Sequence, residues 1–79
     1  MGEKKYIIVL DLSRDGEFPV LFPKQLIHRD IAFRYTAVSA GFWFMDKNGK
    51  VTVYGNSDSL GLNSRPEDAA IIEKYLSPS

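Results

Sequence analysis

Apolar residues fall along this chain in short runs whose spacing switches between a strand period and a helix period. The run from Lys5 to Leu12 is rich in Ile, Val and Leu and too short for a stable helix, so it predicts a strand. Its two sides, Tyr6, Ile8, Leu10, Leu12 and Ile7, Val9, Asp11, are both mostly apolar, which points to a central strand. Ser13 to Glu17 reads as a loop turning on Asp15-Gly16, and Phe18 to Phe22 returns as a second strand. Pro19 cannot donate to a ladder, which sends this strand to a sheet edge. After Pro23, Ile27, Ile31 and Tyr35 recur at i, i+4 and i+8, with Leu26 and Phe33 flanking, and predict a helix over Lys24–Tyr35.

The strongest local signal lies further on. Ala37 to Met45 and Val51 to Tyr54 flank Asp46-Lys47-Asn48-Gly49-Lys50, a hairpin built on Asn-Gly. Two registers are open. A two-residue turn sets Trp43 opposite Tyr54, whereas a three-residue turn with Gly49 as a bulge pairs Phe42 with Tyr54 and Phe44 with Thr52. Gly55 to Asn63 reads as a polar loop. Ser64-Arg65-Pro66-Glu67 then reads as a capping box, with Ser64 as N-cap and Glu67 at N3, opening a helix over Arg65–Leu76 whose buried stripe is Ala69, Ile72 and Leu76.

The predicted order is ββαββα: an α+β two-layer sandwich, with a mainly antiparallel four-stranded sheet and both helices on one face. The expected core is Ile8, Leu10, Val20, Phe22, Ile27, Ile31, Val51, Val53, Ala69, Ile72 and Leu76. At 79 residues the chain forms a single domain, 1–79, since a chain this small buries only about 60% of its unfolded surface.

Composition narrows the function. Apolar residues are 44% and charged residues 25%, the mixture of a soluble globular protein. Ten Lys+Arg balance ten Asp+Glu, against the basic excess expected of a phosphate-driven nucleic-acid binder. Without cysteine there is no disulfide, thiolate metal site or Cys nucleophile, and one histidine removes most zinc patterns. The apolar run Tyr6–Leu10 is too short for a secretory or membrane-spanning segment, so the expected compartment is the cytoplasm.

His28 is the one side chain that titrates near neutrality unperturbed, and Asp30, Asp58, Ser57 and Ser59 are its candidate partners in a hydrolase. Gly55-Asn56-Ser57-Asp58-Ser59 lacks the second glycine of a nucleophile elbow. The loop before the last helix lacks the Lys-Ser/Thr of a phosphate cradle, and Glu67 and Asp68 would repel an anion there. The carboxylates match no calcium loop. The expectation is no catalytic residue, no cofactor and no metal.

Aromatics supply the positive signal. Phe42-Trp43-Phe44 are consecutive in a strand, so alternation sends large rings to both sheet faces. With Ile7 and Val9, neither face reads as solvated, and helices on one face would leave the other open. The expected partner-binding residues are therefore Ile7, Val9, Phe42, Trp43, Phe44 and Tyr54. They would serve a homodimer through the open sheet face or another protein; no membrane is expected, and nucleic acid is disfavoured by the neutral charge.

The strings Phe22-Pro23, Leu26 to Ala32, Val38 to Phe42 and Gly55 to Asp68 resemble small bacterial proteins without an assigned activity, encoded near phage or plasmid genes. That resemblance implies a compact accessory protein and assigns no functional residue. The leading expectation is a non-enzymatic protein-interaction module, such as a phage- or plasmid-encoded accessory factor binding a host protein. The alternatives are a small hydrolase or ligand-binding enzyme using His28, and an RNA or single-stranded DNA binder stacking bases on the sheet aromatics.

Overall fold

Because its first strand is apolar on both sides, this chain needs cover on both faces of a sheet, and the fold supplies it with two different structures. The structure, a computed structural model, describes residues 4–11, 16–23, 25–28 and 36–77. Strands β1 (Lys4–Asp11), β2 (Gly16–Pro23), β3 (Thr36–Met45) and β4 (Val51–Tyr54) form an antiparallel sheet in the order β2-β1-β3-β4. β1 is central and β2, carrying Pro19, lies at an edge where a missing N–H costs little. Two further two-residue strands, β5 (Asn56–Ser57) and β6 (Leu62–Asn63), pair with each other, and helix α1 (Glu67–Leu76) ends the described chain.

The ββαββα expectation is corrected here. The described residues hold six strands and one helix, and Gly55 to Asn63, expected as a plain loop, contains β5 and β6. Residues 24 and 29–35 of the helix expected over Lys24–Tyr35, Ile31 among them, lie outside the described residues. Just after Pro23 the chain makes a turn, with the Leu26 N–H donating to the Pro23 carbonyl at 3.2 Å. Two helices on one face are likewise replaced. α1 packs on the face of Tyr6, Ile8, Trp43 and Val51 through Ile72, while Leu60 and Leu62 from the β5–β6 unit pack on the opposite face against the cluster of Ile7, Val9, Phe22 and Ala40.

A bulge between Ile8 and Val9 in the β1–β3 ladder reconciles the two faces. Ile8 pairs with Ser39 and Val9 with Ala37, so Val38 is the extra residue. Val38 then joins the helix-side core, while Ala37 and Ala40 join the other. The expected core is corrected in the same way. Tyr6, Ile7, Val9, Ala40 and Trp43 are buried but were not among the expected core residues, whereas Ile27 (48% exposed) and Leu76 lie at the surface.

The hairpin takes the register with Gly49 as the bulge: Phe42 pairs with Tyr54 and Phe44 with Thr52. Gly49 has φ +84°, which a side chain would oppose, and its N–H closes the turn on the Asp46 carbonyl at 3.0 Å. The Asp46 carboxylate accepts the Asn48 and Lys50 N–H groups at 2.8 and 2.9 Å.

The helix start also differs from the capping box. Pro66 stands at the N-cap without a side-chain cap, and the Ser64 hydroxyl donates to the Gly55 carbonyl at 2.9 Å, closing the base of the β5–β6 excursion. Asp68, not Glu67, reaches back to the chain and accepts the Arg65 N–H at 2.9 Å. Among the described residues, no helix is long and apolar enough to cross a membrane.

Candidate functional site

Strand alternation places Phe42 and Phe44 on the face away from α1, and the register brings Tyr54 beside both. Phe42 and Tyr54 stack at 5.6 Å between centroids and 23° between planes, and Phe44 lies 6.1 Å from Tyr54 at a tilt. The row continues inward, since the His28 ring meets Phe42 edge-on at 6.0 Å and Phe22 edge-on at 5.3 Å. It therefore runs from buried Phe22 to a solvent-facing end, where Phe44 is 50% and Tyr54 38% exposed.

The six expected partner residues are not brought together. Ile7 and Val9 are fully buried beneath Leu60 and Leu62, and Trp43 is 5% exposed in the helix-side core. Packing within the protein removes these three from any partner surface. Phe42, half-buried, remains with exposed Phe44 and Tyr54 as one contiguous strip on the β3–β4 hairpin.

His28 is 4% exposed and its Nε2–H donates to the Gly41 carbonyl at 3.0 Å. Burial lowers its pKa, and the nearby Lys5 ammonium lowers it further, while the bond to Gly41 acts the other way. Lys5 also anchors the same turn, its ammonium donating to the Leu26 carbonyl at 2.7 Å. Among the described residues, the hydrogen bonds of Asp58 and Ser57 go to partners other than His28. Asp58 accepts from Asn56 Nδ2 at 3.0 Å, the Ser57 hydroxyl accepts the Leu60 N–H at 3.3 Å, and Ser57 and Ser59 lie 3.3 Å apart. These are the local side-chain contacts of a tight turn. Asp30 lies outside the described residues. Among the described residues, no group of three or more His, Cys, Asp or Glu gathers to hold a metal.

A polar cluster that the sequence reading missed ties α1 to the sheet. Asp68 is fully buried and accepts three hydrogen bonds, from the Tyr6 hydroxyl at 2.7 Å, the Arg65 N–H at 2.9 Å and Arg65 Nε at 2.9 Å, while Arg65 Nη2 lies 2.8 Å from its Oδ1 as an ion pair. Arg65 Nη2 also reaches Glu17 Oε1 on β2 at 2.8 Å. Burial, with the adjacent Asp68 carboxylate, pushes the Tyr6 hydroxyl far above its usual range and keeps it a donor. Glu17 foremost, then Asp68, holds Arg65 more firmly protonated against the effect of burial. A buried carboxylate held by three hydrogen bonds and an ion pair within its own fold serves as a structural tether. The Arg65–Asp68 spacing of three was the legible signal; the Tyr6 contact, 62 positions away in sequence, was not.

Gly41 on β3 is packed closely against β4 and the approach to α1. A side-chain carbon there would lie 2.7 Å from the Tyr54 carbonyl and 3.1 Å from Ser64 Cβ, so only glycine fits between β4 and the helix approach. An open cleft of about 570 Å³ between α1 and the hairpin is lined by Met45, Ala70, Glu73, Lys74 and Leu76. Its carboxylate is already engaged, Glu73 Oε2 accepting the Val51 N–H at 2.9 Å. A smaller notch lies beside Lys4 and Trp43. Comparisons with protein-family models, with curated proteins and with solved structures find no match. The chain's own geometry therefore carries the functional reading.

Proposed function

We propose that this chain is a non-enzymatic protein-interaction module that acts through the Phe42–Tyr54–Phe44 strip, with a second copy of itself as the first partner and the cytoplasm as its compartment. The observation that carries the reading is the exposure of Phe44 and Tyr54, two touching aromatic rings at the open end of a row whose other end is core. Large aromatics left together on a strand surface characterise contact sites, because they bury much area with little loss of side-chain freedom.

The strand beside the strip supports self-association. The Lys50 carbonyl accepts the Asp46 N–H and the Val51 N–H is held by Glu73, so by alternation Val53 turns its N–H and C=O away from β3. A two-fold axis at Val53 would let two copies exchange that pair of bonds while their aromatic strips meet side by side. The balanced charge, ten against ten, imposes no net repulsion between copies. A strip this short falls below the ~1,200 Å² of a standard interface, so association belongs near about 100 µM. If self-association fails, the resemblance to phage- and plasmid-encoded proteins makes a host protein the partner to seek.

Sedimentation equilibrium between micromolar and millimolar concentration tests this directly. A dimer is expected at the upper end and a monomer throughout for Tyr54→Lys, with the melting temperature of that variant within a few degrees of the parent. A monomer at every concentration overturns the homodimer. Unfolding by Tyr54→Lys would show that the strip is core and overturn the interaction reading.

A further inference from the structure

α1 does not roof the whole of its sheet face. Lys4 lies opposite Pro23 on one neighbouring strand and Trp43 on the other, and there a notch of about 260 Å³ opens, walled by Lys4, Leu21, Phe22, Pro23 and Trp43. Four of these walls are apolar. The fifth is a cation: the Lys4 ammonium lies 4.9 Å from the centroid of the Trp43 ring, and it makes no ion pair among the described residues. Trp43 contributes a second polar feature, because its indole Nε1–H is buried and has no acceptor among the described residues. Buried donors are satisfied in the great majority of proteins, so an orphan of this kind calls for an explanation.

We propose that this notch is a binding site for a small free carboxylic acid with a compact apolar body. One negative charge matches the one unpaired cation among the described walls, whereas a dianionic phosphate would leave charge uncompensated against the apolar ones. The ligand's hydrocarbon body lies along Leu21, Pro23 and the Trp43 ring, where burial of apolar area supplies the attraction. The carboxylate takes the Lys4 ammonium, which its contact with Trp43 already holds at the notch. The cavity lies just under the range of pockets that enclose drug-sized ligands, which selects a single small acid rather than a folded partner.

Trp43 is the chain's single tryptophan, so its fluorescence reports this notch alone. The test titrates the protein with phenylacetate and with 4-methylpentanoate at constant ionic strength, using phenylacetamide as the uncharged control. A saturable change in Trp43 emission is expected for both acids, with dissociation constants in the millimolar range fitting ligands of about ten heavy atoms. Phenylacetamide should bind about tenfold more weakly, the contribution of one charge-assisted bond at an exposed site. Lys4→Gln, at an exposed position, should weaken phenylacetate by the same factor and leave phenylacetamide unchanged. The Trp43 indole N–H proton resonance should move during the phenylacetate titration of the parent. Equal binding of acid and amide overturns the proposal, as does an unchanged phenylacetate affinity in Lys4→Gln. The absence of saturation up to about 50 mM, beyond the range for a ligand of this size, overturns it too. None of these readouts depends on the hairpin strip, which lies on the opposite face.

Discussion

The two faces of the sheet start from nearly equal apolar content and end differently. On one, α1 lays Ile72 onto Tyr6, Ile8, Trp43 and Val51, and a buried carboxylate locks the helix to β1 and β2 through Tyr6, Arg65 and Glu17. On the other, the described cover comes from Leu60 and Leu62 of the β5–β6 unit and from the turn that His28 and Lys5 pin in place. A helix ten residues long can be fixed by one polar tether because its own backbone bonds are internal. Each of these pieces is held by its own contact, and Phe44 and Tyr54 on the hairpin stay 50% and 38% exposed.

The sharpest way to break this contrast is to cut the tether. Asp68→Ala removes the acceptor of three hydrogen bonds and one partner of a buried ion pair, a loss of about 3–5 kcal/mol expected of a broken buried ion pair. Urea denaturation measures it; a loss under about 1 kcal/mol would mean that apolar packing alone holds α1. Next, Ile7→Ala and Ile8→Ala compare adjacent, fully buried residues on opposite faces. Each should cost about 2–5 kcal/mol if the two cores are equally well packed. A much smaller cost for Ile7→Ala would show that the piecemeal cover collapses readily around a void.

The smallest expected effect is a pH dependence confined to the His28 side. Its folded-state pKa is lowered, so below the unfolded value of about 6.5 the unfolded chain takes up a proton that the folded chain refuses. This contribution to stability is complete above about pH 6.5 and falls as the pH drops toward the lowered folded value, by at most about 1.4 kcal/mol per unit. Denaturation at pH 7.5 and 5.5 measures it, and His28→Phe should flatten that part of the dependence. An equal slope in the variant would assign the effect to the carboxylates instead.

Much of the sheet was legible before folding was considered. The apolar run Tyr6 to Leu10 marked β1 as central, Pro19 sent β2 to an edge, and Asn48-Gly49 marked the hairpin. The 55–63 segment was not legible as strand, because two-residue strands carry no periodicity and depend on the pairing partner alone. Ser64 looked like a cap because it has the right chemistry three positions before Glu67. Asp68 won because burial against Tyr6 and Arg65 satisfies it better than solvent would. The candidate strip was half legible: alternation separated Phe42 and Phe44 from Trp43, but only the register brought Tyr54 beside them.

What the sequence determined by itself was local. It set which segments extend, where the hairpin turns and where the last helix ends, since these follow from side-chain shape, spacing and the conformational freedom of Gly49. Tertiary structure alone decided which apolar residues became interior. Tyr6, Ile7, Ile8 and Val9 are all buried because segments far away in sequence cover both faces of β1, whereas Phe44 and Tyr54 stay partly exposed. Burial belongs to pairs of distant segments, and no single segment encodes it.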